Sequence, residues 1–134
     1  MKWYDLQGIQ IDRPQGVTFR YVADPSNLPE WTHAFATVDG AKARMRTPNG
    51  EISVELVTRA DETRGTVDWK MTFPDGSSGW AYSRVLPLDG RRCLYAFALT
   101  PPPVPLEEVE GTLVEQSRAL TEELRNLKRI VEHG

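Results

Sequence analysis

The chain has 134 residues, 40% of them apolar and 26% charged, and a formal net charge of -3. That size suits one domain built on one core, and the acidic balance argues against nucleic acid, whose binders carry a basic face. The single cysteine, Cys93, excludes an internal disulfide, and with His33 and His133 it makes no metal-ligand spacing, so neither a metal nor another cofactor is expected.

Residues 3–11 read as a strand, with Ile9 and Ile11 alternating against Gln10. Residues 13–30 read as two short helices. Asp12 is placed to cap the first, with Pro14 just inside its start, and Asp24-Pro25 repeats the signal before Pro29 and Trp31 close the second. From residue 34 to 100 the apolar period falls to two. Turn signals follow at Asp39-Gly40, Asn49-Gly50, Asp61 to Arg64, Asp75-Gly76 and Asp89-Gly90. Five turns join six strands in an antiparallel meander. A proline-rich connector, 101–105, leads into a helix over 105–132. Its apolar residues Leu106, Val109, Leu113, Leu120, Leu124, Leu127 and Val131 form one stripe. At 1.5 Å per residue that helix runs about 40 Å, too long to bury its stripe except against the sheet. No apolar run reaches membrane-spanning length and the first residues, MKWYDLQG, lack a signal-peptide core; a cytoplasmic protein without stable membrane insertion is expected.

If each two-residue turn is tight, the pairing register is determined and one face of the meander collects the large side chains. That face holds Met45, Val54, Leu56, Trp69, Met71, Trp80, Tyr82, Arg84, Cys93, Tyr95 and Phe97, while Arg44, Glu55 and Lys70 form a charged row on the other. Phe35 points the wrong way under this register, which predicts a bulge in its strand.

The order strand, two short helices, six strands and long helix, with VADPSNLPEW (22–31) after the first strand, resembles the START-like or SRPBCC superfamily. The likeness is to its bacterial polyketide cyclase/dehydrase and lipid-transport group; Asp24-Pro25 and Trp31 match the group's helix-turn signature. The resemblance covers the whole chain as a single domain, 1–134. It implies an α+β helix-grip fold: a curved antiparallel sheet of about seven strands, in the order β-α-α-β6-α, wrapped around the C-terminal helix and enclosing an apolar cavity. Members use such cavities to carry lipids or hormones, or to fold and dehydrate polyketide chains. No universal catalytic residue belongs to the fold, so none carries over, and fold alone does not decide function.

The candidate ligand-binding residues are Trp69, Trp80, Tyr82, Arg84, Tyr95, Phe97, Gln116 and Ser117. Buried Tyr and Trp need partners for their polar ends, so the aromatic set reads either as core or as the wall of a cavity. Arg84, on the same face, either emerges at the sheet's end, pairs with a glutamate of the last helix, or meets an anionic ligand group. Gln116 and Ser117 interrupt the helix stripe, either as edge polarity or as a partly polar gap above the sheet. Trp31 reads as a structural plug or as a wall of the cavity, His33 as a surface residue, and Cys93 as an inert buried thiol. The carboxylates Glu51, Glu55 and Asp68 fall on the wet face, and no nucleophile motif or phosphate loop is present.

These observations favour binding or transport of a small hydrophobic molecule, with or without an anionic group, over catalysis. The alternatives are a cyclase or dehydratase using Tyr82, Arg84 or Tyr95 in the same cavity, and an interaction module whose cavity has collapsed. Monomer and homodimer both stay open.

Overall fold

The computed structural model describes residues 3–47, 49–101 and 106–134, with side chains of the last helix described from 112 onward. Most of the proline-rich connector, and Leu106 and Val109 of the helix stripe, lie outside the described side chains.

The elements run β1 (Asp5–Ile11), α1 (Gln15–Ala23), a 3-10 turn (Pro25–Asn27), α2 (Leu28–Trp31), then β2 (Phe35–Asp39), β3 (Lys42–Thr47) and β4 (Gly50–Asp61). After these come β5 (Thr66–Thr72), β6 (Ser78–Pro87), β7 (Cys93–Leu99) and α3 (Leu106–His133). The fold is α+β and of helix-grip type: one antiparallel sheet of seven strands, ordered β1-β7-β6-β5-β4-β3-β2, curves around α3. β1 pairs with the last strand, not the next one, and α1 and α2 fill the excursion between β1 and β2.

The local signals act largely as their chemistry dictates. Asp24 accepts from the Ser26 amide and starts the 3-10 turn, with Pro25 at its first position. Asp12 does not cap α1, which begins at Gln15 behind Pro14 without a side-chain cap; the Asp12 amide instead donates to Glu132 of α3 at 2.7 Å. The helix stripe is buried at Leu113, Leu120, Leu124, Leu127 and Val131. β2 carries the expected bulge between Phe35 and Thr37, and it turns Phe35 into the core.

The sheet register departs from tight two-residue turns, and the departures have unequal consequences. Thr47 pairs with Gly50 and Asp61 with Thr66, so β3, β4 and β5 slide by even steps and keep their faces. Around β6 the connections are five residues long on both sides: Thr72 pairs with Ser78, and Pro87 with Cys93. Each odd step exchanges the two faces of β6 relative to its neighbours. A type I′ turn needs positive φ at both central residues, and among the described residues no non-glycine adopts it. Asp75 and Asp89 instead accept the amide two residues on, from Ser77 at 3.0 Å and Arg91 at 2.7 Å, which opens the turns. Gly65 anchors the arrangement from the other end of β5. Its carbonyl accepts the Val85 amide at 2.8 Å, its φ is +73°, and a Cβ there would overlap the Val85 carbonyl.

The inner face of β6 is therefore Ala81, Ser83 and Val85, with Ser83 and Val85 buried. Trp80, Tyr82 and Arg84 occupy the outer face, correcting their expected placement. The outer charged row also differs: Arg44 meets Glu51 at 3.1 Å rather than Glu55.

Candidate functional site

α3 is not centred in the sheet. It lies against β1, where the Gln7 amide donates to the Ser117 carbonyl at 2.9 Å and the Thr121 hydroxyl donates to Gln7 at 2.9 Å. The Ser117 hydroxyl donates to Asp5 at 2.7 Å. Farther along, the Lys128 ammonium donates to the Gln10 carbonyl at 2.8 Å and Arg13 donates to the Glu132 carbonyl at 2.8 Å. Held to this side, the helix leaves a gap over β3 to β7. The gap is a cavity of about 800 Å³.

Apolar side chains from the strands, among them Ile52, Trp69, Met71 and Phe97, make most of its wall. Ala81 and Ala119 widen it from opposite sides, since neither fills the space its position commands. An interaction module with a collapsed cavity does not fit this volume. It falls within the several hundred Å³ usual for small-molecule sites.

The expected site residues divide into three groups. Trp69, Phe97 and Gln116 line the cavity, and the Trp69 and Phe97 rings stack with centroids 6.0 Å apart. Tyr95 is fully buried behind the wall, edge-on to Trp31 at 6.1 Å, and Ser117 is turned to β1. Burial pushes the Tyr95 phenol well above its usual range. The neighbouring Ser83 hydroxyl donates to the Val67 carbonyl, and among the described residues the phenol has no hydrogen-bond partner. The third group is outside. Tyr82 is 42% exposed and stacks on Trp80 at 6.0 Å; Arg59 and Lys70 sit over the Trp80 ring from the outer side. Trp80 meets the cavity at its rim. Arg84 donates to the Arg64 carbonyl at 3.0 Å on the outer face, meeting neither a glutamate of α3 nor the cavity.

Two cavity residues were not singled out as ligands from the sequence alone. Trp31 is both plug and wall: buried, with its ring 6.5 Å from Trp69. Glu123 projects from α3 into the wall, where one carboxylate oxygen accepts the His33 amide at 2.7 Å. Burial raises this carboxyl above the usual range, with the His33 amide acting in the opposite sense. The signal for Glu123 was available: it lies seven residues after Gln116, on the helical face that carries Leu113, Leu120 and Leu127. His33 lies at the cavity edge, with its side chain 46% exposed.

Among the described residues, three buried polar atoms near the inner wall have no hydrogen-bond partner: the indole nitrogens of Trp31 and Trp69, and the Tyr95 oxygen. Each costs about 1–3 kcal/mol. Cys93 is buried against the Thr18 hydroxyl at 3.2 Å, and burial raises its thiol, as an inert cysteine requires. Among the described residues no group of His, Cys, Asp and Glu is placed to hold a metal ion. Likewise, no described helix is long and apolar enough to cross a membrane.

Residues 7–132 match the family described as polyketide cyclase / dehydrase and lipid transport. The chain belongs to that family.

Solved structures with the same fold include the Zhui aromatase/cyclase from Streptomyces sp. R1128, with 11% identity, a TM-score of 0.69, and 96% of this chain and 93% of that one covered. A START superfamily protein from Mycobacterium smegmatis gives 14% identity and a TM-score of 0.64, covering 98% and 99% of the two chains. The di-domain ARO/CYC BexL from the BE-7585A biosynthetic pathway gives 18% identity and a TM-score of 0.71, covering 98% of this chain and 47% of that one. At these identities the likeness is one of fold. No curated protein matches the sequence. For this family member, then, the assignment of a ligand rests on its own cavity.

Proposed function

We propose that this polyketide cyclase/dehydrase and lipid-transport family protein binds a small, mainly apolar molecule between its sheet and α3, and holds it for carriage or delivery. The observation that carries the proposal is the cavity of about 800 Å³, walled chiefly by apolar and aromatic side chains. Leaving such a space empty forfeits the dispersion contacts a filled core would make, and a ligand restores them. Trp69, Phe97 and Gln116, with Trp80 at the rim, are the binding residues retained from the sequence, joined by Trp31 and Glu123. Tyr82 and Arg84 drop out because the β6 register turns them away.

Native mass spectrometry of protein purified gently from cells tests the proposal. An added apolar mass is expected. A clean apo mass both as purified and after incubation with lipid extract would refute it.

One observation favours a second reading, a cyclase or dehydratase. Glu123 supplies a cavity carboxyl whose proton affinity is raised by burial, as acid–base work near neutral pH requires. On a substrate with a C–H flanked by carbonyls, Glu123 would take the proton and later return it. Turnover of a poly-carbonyl substrate that disappears in Glu123→Gln, with the fold retained, would support this reading; turnover unchanged in that variant would end it.

A further inference from the structure

We infer that the cavity selects apolar ligands that carry a hydroxyl or enol O–H, which donates to the Glu123 carboxylate, and disfavours ligands that carry a carboxylate. The inference rests on the proposed binding function and names the chemistry of the molecule bound.

The charges around the cavity are unevenly placed. Among the described residues three carboxylates line it: Asp75 and Glu115, both exposed, and Glu123, which is partly buried. Among the described residues the basic side chains that line it are Arg46 and His33 alone. Arg46 is exposed, and its guanidinium is engaged with the His33 carbonyl at 3.0 Å and the Phe35 carbonyl at 3.4 Å. The His33 ring lies 3.9 Å from Glu122 with both side chains exposed, and its charge also favours the ionised form of Glu123. Arg84, the cation that would have neutralised an anionic ligand, is on the outer face.

A ligand carboxylate lodged among Trp69, Phe97 and Gln116 would therefore gain little from Arg46, the one arginine on the described lining, whose charge is exposed to solvent. It would instead share the cavity with Glu123, and two carboxyls in one low-dielectric site oppose each other's ionisation. A hydroxyl has the complementary need. Glu123 has one hydrogen-bond partner among the described residues, the His33 amide on Oε2, and none is made to Oε1. An ionised carboxylate offers about four lone-pair sites, so acceptor capacity is left for a ligand O–H. Gln116 lies two helical turns before Glu123 on the same face, and its amide can serve a carbonyl elsewhere on the ligand.

Isothermal titration of the full chain at pH 7.5 with two probes of one shape, biphenyl-4-ol and biphenyl-4-carboxylate, tests the inference. A hydrogen bond to a buried charged group implies about ten- to a hundredfold tighter binding of the alcohol. In Glu123→Gln the preference should fall to less than about threefold, because the amide removes the like charge and can donate to the carboxylate. If that variant fails to fold, Glu123→Ala read by the same ratio takes its place. Equal or tighter binding of the carboxylate by wild-type protein would overturn the inference alone, as would an unchanged ratio in a folded Glu123→Gln. Binding of neither probe would overturn the proposed binding function and this inference with it.

Discussion

Replacing Ala81 with leucine tests the cavity and the β6 register together. Ala81 stands opposite Trp69 and Leu99 on the inner face and lines the cavity. Leucine adds three carbons, and at about 0.8 kcal/mol per buried CH₂ the gain is at most about 2.4 kcal/mol. Ordering the longer side chain takes back about 0.5–1 kcal/mol. The apo protein should therefore be stabilised by about 1–2 kcal/mol. For 134 residues the unfolding entropy is on the order of 0.28 kcal/mol per kelvin, so Tm should rise by roughly 4–7 °C. The assay is thermal unfolding of ligand-free protein, with ligand affinity measured in parallel; affinity should fall as the space is taken. A close-packed wall would reverse the sign, because overpacking costs about 1–3 kcal/mol. Were β6 displaced by one residue, Ala81 would be outside and the change would stay within about 0.5 kcal/mol. Either result would refute the structural reasoning.

Tyr82→Phe and Arg84→Gln should each leave ligand affinity within about twofold of wild type, since both side chains lie on the outer face; a larger loss by titration would put them back in the site. Glu123 should impose a pH dependence on stability. Its folded carboxyl binds a proton more tightly than the unfolded chain does, so its contribution is present below the ordinary value of 4.5 and is lost as pH rises through the raised folded value. Glu123→Gln should consequently melt above wild type at pH 8 and lose that advantage at pH 4; melting curves across the range check the sign. Cys93 should react with an aromatic disulfide reagent only as fast as the protein opens, because the thiol is buried against Thr18. Fast labelling of native protein would contradict that packing.

Much of the fold was legible before any coordinates. Period-two alternation between residues 34 and 100 and the stripe from Leu113 to Val131 are local patterns set by which side chains must leave water, so strand count, order and the last helix followed from them. The Phe35 bulge followed as well, because an apolar residue on the wrong side of a strand has few other remedies. Trp69 reached the cavity because β4 and β5 shift pairing by an even step, Phe97 because the two odd steps around β6 cancel, and Gln116 because the helix face does not depend on the turns.

Tyr82 and Arg84 did not, and the reason is arithmetic in the backbone. Asp75-Gly76 and Asp89-Gly90 mark turns correctly, but the dipeptides do not encode whether two or five residues separate the paired positions. Capture of the Ser77 and Arg91 amides by the aspartate side chains opens the turns locally, and the close fit of Gly65 against Val85 is made only once β5 and β6 pair. Glu123 shows the complementary case. Its place on the apolar face of the helix is written in the seven-residue step from Gln116. Its burial, its contact with the His33 amide and its raised carboxyl required α2, β2 and α3 to meet. Sequence alone determined which segments become strands and helices, because that depends on neighbours in the chain. Tertiary structure decided which side of β6 faces the ligand cavity and which carboxyl waits there, because pairing register and desolvation are properties of segments brought together.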